Sequence, residues 1–229
     1  MEKNCQQGQD RISRFASLYK DTIDSFINQP HIIIGCGAIG GPVIKTLGQI
    51  GVKEITIWDD DTVEEVNLGP QGFPENSIGM EKTEIRAEEF SRLSTKSICH
   101  INSSLFKKHH PHNEDAYWWL CVDDLDSREF IYKVAMEYAP HKIIDFRMGG
   151  LAYEIYNPSV NEDSSDPANA YLETIEWARE NTVQESCTTK STPHTAMIAV
   201  AIGINMGLTR LPPFAIKGNL MDYSQMVAW

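Results

Sequence analysis

The chain has 229 residues, 41% of them apolar, with a formal net charge of −12. That length suits one α/β domain that closes its own core, and the negative charge argues against a nucleic-acid surface. No apolar run approaches the roughly 20 residues that span a bilayer, the N-terminus shows no apolar signal segment, and the five cysteines have neither disulfide-framework nor CxxC spacing, so a reduced, cytoplasmic protein without membrane or nucleic-acid partners is expected.

In chain order, Ile12, Phe15, Leu18, Ile23 and Phe26 recur at helical spacing and predict a helix over 9–27. Pro30 separates it from a strand at 31–35. A glycine turn, 35–40, opens a helix over 42–50, and a strand follows at 53–58. This is a βαβ unit with a right-handed crossover. The connection 59–80 is long for such a unit, and long ordered loops are often functional. Helix 82–92, strands 96–101 and 117–122, helix 126–138 and strand 142–146 continue the alternation. The order predicts a Rossmann-like, mostly parallel α/β sheet with helices on both faces and a C-terminal extension. Beyond Gly149 come a strand at 151–156, a turn-rich loop at 158–168, a helix at 169–180, a polar stretch at 184–193, an apolar helix at 195–208 expected to be buried all round, and a short strand at 214–217. The expected organisation is a single domain over 1–229. It has a helical arm at 1–28, a nucleotide-binding core at 29–148 and a partner-binding, dimer-supporting part at 149–229.

Gly35, Gly37 and Gly40 fit GxGxxG after a strand and before a helix. In that setting the first glycine makes the turn, the second admits a phosphate to the backbone, and the third allows close packing. The helix N-terminus then offers free N–H groups to an anion. Asp59 ends the next strand, placed to accept from ribose hydroxyls. A ligand-free structural turn is the bland alternative. Just beyond lie Asp61, Asn67, Gln71 and Lys82, more polar chemistry than a plain dinucleotide site requires. Lys82 opens a helix, against the helix dipole, which favours an anion partner. Asp123, Asp124 and Asp126 stand where a strand gives way to a helix, suited either to a magnesium ligand or to helix capping. Arg147 ends an apolar strand at the expected ligand edge. Cys36 and Cys121 read as small apolar fillers, Trp118 and Trp119 as core or interface. The tract holding His109, His110 and His112 reads as a solvated loop rather than a metal site.

The stretch ITIWDDDTVEEVNLGPQGF followed by IGMEK resembles the signature of the ThiF/MoeB/HesA superfamily of E1-like adenylating enzymes. By that resemblance Asp59 is the ribose-binding acid, Asp61 the second acid, Asn67 and Gln71 the polar pair facing the phosphates, and Lys82 the phosphate-binding lysine. Gly35, Gly37 and Gly40 match the nucleotide loop, with Ala38 where the family favours glycine. RISRF is similar to the N-terminal motif whose arginine, here Arg14, enters the partner subunit's active site, which implies a homodimer. WLCVDDLDSREF resembles the segment whose aspartate, here Asp123, holds magnesium, with Arg128 opening the next helix. ESCTTKSTP resembles the surroundings of the thioester cysteine of some E1 enzymes, implying Cys187 as a nucleophile with Lys190 and His194 as helpers.

The resemblance implies ATP and Mg2+, and a small ubiquitin-like or sulfur-carrier protein or peptide with a C-terminal glycine, activated as its acyl-adenylate. Pro70 departs from the pattern, standing where the family carries a second phosphate-binding arginine. Arg128 and Arg147 are the candidates to compensate for it. Asp124 replaces an asparagine, and the paired CxxC motifs of many relatives are absent. Two alternatives remain at this level: a non-catalytic E1-like dimeric scaffold, and an NAD-dependent oxidoreductase using the same glycine turn.

Overall fold

The structure, a computed structural model, describes residues 12–13, 15–107, 115–138, 140–158, 166–181, 192–210 and 212–221. A short 3-10 turn, Ala16–Tyr19, precedes α1 (Ile23–Asn28), β1 (His31–Ile34), α2 (Gly40–Ile50) and β2 (Glu54–Trp58). The long connection holds two 3-10 turns and a one-turn helix α3 (Leu68–Gln71). Then come α4 (Lys82–Leu93), β3 (Ile98–Asn102), β4 (Tyr117–Leu120), α5 (Leu125–Glu137), β5 (Lys142–Gly149), β6 (Ala152–Tyr156), α6 (Pro167–Asn181), α7 (Pro193–Leu208) and β7 (Ala215–Asn219).

Among the described residues, seven strands lie in the order β3-β2-β1-β4-β5-β6-β7. The first five are parallel, and β6 and β7 add antiparallel to the β5 edge. Parallel strands covered on both faces read as unbroken apolar runs, and HIII and YWWL are fully buried. Alternate residues serve opposite faces. Ile33 and Trp119 join α1, α2, α4 and α7 in one core, while Ile32, Ile34, Trp118 and Leu120 join α5 and α6 in the other. The chain winds outward from β1 through β2 to β3, then returns to β4 on the other side of β1. That reversal leaves a crevice beyond the C-terminal ends of β1 and β4, where an open α/β sheet takes its ligand.

Two sequence expectations are corrected. The helix expected over 9–27 is interrupted, where described, at Lys20–Thr22. There the Thr22 hydroxyl donates to the Leu208 carbonyl, a distant contact that local spacing does not register. Helix α7 is not buried all round: Met197 is 58% and Ile198 39% exposed. A helix without a polar face gives no signal of which side meets solvent.

The start of β5 anchors the end of α7. Lys142 Nζ donates to the carbonyls of Met206 (3.2 Å), Gly207 (3.0 Å) and Thr209 (2.7 Å), groups that the last helical turn leaves without intrahelical donors. Burial lowers this amine to about 8. Lys142→Met keeps the apolar stem and removes all three donors. It should destabilise the protein by about 1–3 kcal/mol in urea unfolding, and an unchanged midpoint would contradict the capping role.

Candidate functional site

The glycine turn is built by close approach. Gly35 has φ +95°, and a Cβ there would sit 2.6 Å from the Cys121 carbonyl oxygen at the end of β4. A Cβ on Gly40 would lie 1.8 Å from the Gly35 carbonyl oxygen. Neither position has room for a side chain, so the turn lies flat across the ends of β1 and β4. The Gly35 N–H donates to the Trp58 carbonyl at 2.8 Å, fixing the turn to β2. The helix that follows receives no side-chain cap. The Gly41 N–H donates to the Gly37 carbonyl at 3.0 Å and Pro42 has no N–H, so the N–H groups left for solvent or an anion are those of the turn from Gly37 to Gly40.

Asp59 closes the turn from the next strand. Its Oδ2 accepts from the Cys36 N–H at 2.6 Å, and its Oδ1 accepts from the Asp61 N–H at 2.9 Å. Burial raises this carboxyl above its usual range, opposed by the two N–H groups and by Lys82. A carboxylate offers about four acceptor sites, so capacity remains for hydroxyl donors in the crevice.

The long loop folds back on itself. The Val63 N–H donates to the Met80 carbonyl and the Val63 carbonyl accepts from the Gly79 N–H, both at 2.8 Å, and the Lys82 N–H donates to the Asp61 carbonyl at 3.0 Å. This brings the first residue of α4 beside the end of β2. Lys82, 5% exposed, there pairs with Asp61, Nζ to Oδ2 at 2.7 Å. The carboxylate oxygens of Asp59, Asp60 and Asp61 gather within 4.8 Å of one another. Asn67 braces the loop by accepting from the Glu64 N–H at 3.0 Å. Gln71 lies over the turn, with its Oε1 buried and unpartnered and 3.4 Å from where a Gly37 Cβ would stand.

After β4 the two acids divide their work. Asp124 caps α5, accepting from the Ser127 N–H at 2.7 Å. Asp123 is exposed and has no hydrogen-bond or ion-pair partner among the described residues. A free carboxylate at the strand end beside the turn fits a hard, oxygen-seeking cation such as Mg2+.

Arg128 is enclosed beneath this opening rather than free in it. Its guanidinium, 3% exposed, pairs with the fully buried Asp145 and donates to the Val122 carbonyl. Arg147 Nε reaches the other Asp145 oxygen at 3.0 Å, and the Tyr171 hydroxyl donates to it at 2.9 Å. Both arginines offered as substitutes at Pro70 are thus committed to one internal carboxylate.

Gly35, Gly37, Gly40, Asp59, Asp61, Asn67, Gln71 and Lys82 therefore gather around one strand edge, with Asp123 on the adjoining strand end. Arg14, Cys187, Lys190, His109, His110 and His112 lie outside the described residues. His194 is exposed at the start of α7. Cys36 is fully buried and Cys121 partly so, and burial pushes both thiols up, as inert fillers require. Sequence reading missed Arg86, which follows Lys82 by one helical turn and is buried against the glycine turn. Its available signal was that i, i+4 spacing, which places two cations on one helix face.

This sheet order and glycine turn define a Rossmann-like α/β domain. The chain belongs to the ThiF family, whose model matches residues 10–210. A protein named adenylyltransferase and sulfurtransferase UBA4, from Yarrowia lipolytica, is 40% identical over 63 residues, which is 28% of this chain and 16% of that protein. The SAMP-activating enzyme E1 of Haloferax volcanii is 37% identical over 57 residues, 24% of this chain and 21% of that one. The chain thus spans only a minor part of the curated relatives it matches. Among solved structures, E. coli MccB with AMPCPP and MccA has the same fold, with a TM-score of 0.64 at 17% identity over 88% of this chain and 63% of that one. Among the described residues no helix is long and apolar enough to cross a membrane.

Proposed function

We propose that the protein is an ATP-dependent adenylyltransferase that activates the C-terminal carboxylate of a small carrier protein or peptide. The observation that carries this reading is the convergence of the glycine turn, Lys82, the unpartnered Gln71 carboxamide and the unpartnered Asp123 at one crevice in a ThiF-family fold. The names of relatives point the same way: UBA4 is called an adenylyltransferase, and MccB was solved with an ATP analogue and MccA.

In this mechanism the turn from Gly37 to Gly40, the first residue of α2, holds the triphosphate through backbone N–H groups. Asp59 accepts from the ribose. A carboxylate oxygen of the partner attacks the α-phosphorus, the bond from that phosphorus to the bridging oxygen breaks, and pyrophosphate leaves with the bonding electrons. The carboxylate is already an anion at neutral pH, so no general base is needed. Lys82 swings from Asp61 to the phosphate oxygens, where charge accumulates in the transition state. Asp123 would hold Mg2+, which supplies neutralisation of phosphate charge when bound.

The same reading takes the protein to be a cytoplasmic homodimer that accepts a partner ending in glycine, with Arg14 completing the neighbouring site. It is tested by Mg2+-dependent exchange of labelled pyrophosphate into ATP with candidate carriers ending in glycine. Exchange that requires a free C-terminal carboxylate supports the reading. ATP binding without exchange favours the scaffold alternative, and NAD binding without ATP binding the oxidoreductase.

A further inference from the structure

The loop from Asp59 to Glu81 contains no lysine or arginine but carries Asp59, Asp60, Asp61, Glu64, Glu65, Glu75 and Glu81. An anionic ligand at the crevice must therefore find its nearby side-chain cations elsewhere. Helix α4 supplies two, Lys82 and, one turn later, Arg86. The Arg86 guanidinium is almost fully enclosed, with 4% of its side chain exposed. Nε donates to the Cys36 carbonyl at 3.2 Å, Nη2 to the Gln71 carbonyl at 2.6 Å and Nη1 to Glu89 at 2.8 Å. Its plane lies over the Phe73 ring, 3.9 Å from the centroid. A Cβ on Gly41 would be 2.6 Å from its Cζ, so the absence of a side chain in the first turn of α2 is what makes room for it.

The two carbonyls matter because of what shares their backbone. A trans peptide points its C=O and its N–H in opposite directions. With the Cys36 carbonyl turned to Arg86, the Gly37 N–H on the same peptide is turned away from it, and that N–H has no partner among the described residues. On the other side, Asp59 holds the preceding peptide through the Cys36 N–H. Gln71, held through its carbonyl, presents the buried and unpartnered Oε1 beside Gly37.

We infer that Arg86 is a positioning residue for nucleotide binding. It sets the glycine turn and the Gln71 helix so that the Gly37 N–H and the Gln71 Nε2 amide, 3.8 Å from the same Gly37 Cβ position, can donate to a bound phosphate group together. The inference rests on the adenylation reading and assigns no contact between Arg86 and the nucleotide.

The test is calorimetric titration of Mg2+ with AMPCPP into the wild-type chain and into R86Q, R86K, G41A and the double variant G41A/R86Q, with thermal unfolding recorded in parallel. R86Q should weaken binding by about tenfold or more, the loss of a charge-assisted bond to each of two carbonyls. R86K, able to satisfy fewer of these acceptors, should recover only part. G41A leaves Arg86 intact and favours helix, yet its methyl displaces the guanidinium, so it should also weaken binding while the chain stays folded. The double variant should bind no more weakly than R86Q alone, because both changes act through one group. If R86Q does not fold, G41A decides. Wild-type affinity in folded G41A, or in folded R86Q, overturns the inference alone. A wild-type chain that does not bind the nucleotide overturns the adenylation reading and the inference with it.

Discussion

Lys82→Ala should lower the second-order rate of ATP–pyrophosphate exchange by about 100- to 1,000-fold, the usual effect of removing one preorganised donor from a site of developing oxygen charge. Its expected effect on folding is small, for two reasons. Its partner Asp61 is 66% exposed on its side chain, so the carboxylate left behind is solvated and the lost pair is worth at most about 1 kcal/mol. The lysine also opens α4, where the positive end of the helix dipole disfavours it. A residue that is nearly buried, poorly placed for helix stability and paired to an exposed acid is poised to change partners. A large loss of exchange with a thermal midpoint close to wild type is the predicted pattern. Equal losses in both would make Lys82 a structural pin of the loop.

The opposite pattern is expected at Asp145. This carboxylate is fully buried and accepts from Arg128, Arg147 and the Tyr171 hydroxyl. Arg147 is held further by Thr174, through its carbonyl at 3.2 Å and its hydroxyl at 2.9 Å, and lies over the Tyr156 ring at 4.3 Å. Asp145→Ala leaves two enclosed guanidinium groups without their counterion. Breaking a buried pair in this way costs about 3–5 kcal/mol. For a chain of this size that corresponds to a fall of roughly 10 °C in the melting midpoint, at about 2–4 °C per kcal/mol. The network also reaches the crevice, since Arg128 donates to Val122, the residue before Asp123. Exchange activity should fall along with stability. Denaturant unfolding that places the variant within about 1 kcal/mol of wild type would show that the pairs behave as solvated ones.

These two sites also mark the boundary of what the sequence discloses. The β1–α2–β2 unit and its crevice are legible because every device in them is local. An apolar run, three glycines at fixed offsets and an acid at the next strand end are each dictated by backbone geometry. Lys82 is legible only through the motif that surrounds it. What brings it to Asp61 is a backbone turn between residues 61–63 and 79–82, and no periodicity encodes that. Arg128, Asp145 and Lys142 read as isolated polar residues in or beside apolar segments. Their partners come from other elements, as with Lys142 and the end of α7, 64 to 67 residues away. The sequence reading turned Arg147 toward the ligand because a charge at a strand end usually points there, and Arg128 through its match to the family's helix-opening arginine. The buried Asp145 claims both, and a carboxylate inside an apolar run carries no mark of its partners. Arg86 escaped notice for a related reason: an arginine on an amphipathic helix reads as surface until Gly41 and Phe73 enclose it.

Attack by a carboxylate on the α-phosphorus of ATP carries a carboxylate oxygen into AMP, and a labelled oxygen reports it. A carrier peptide ending in glycine, with heavy oxygen in its terminal carboxylate, is incubated with the protein and Mg-ATP. The acyl-adenylate formed is then cleaved by hydroxylamine at its carbonyl carbon, and the AMP released is weighed by mass spectrometry. Carboxylate attack gives AMP carrying one heavy oxygen from the carboxylate, with unlabelled pyrophosphate as the other product. Unlabelled AMP, or ADP and labelled phosphate in its place, would contradict it.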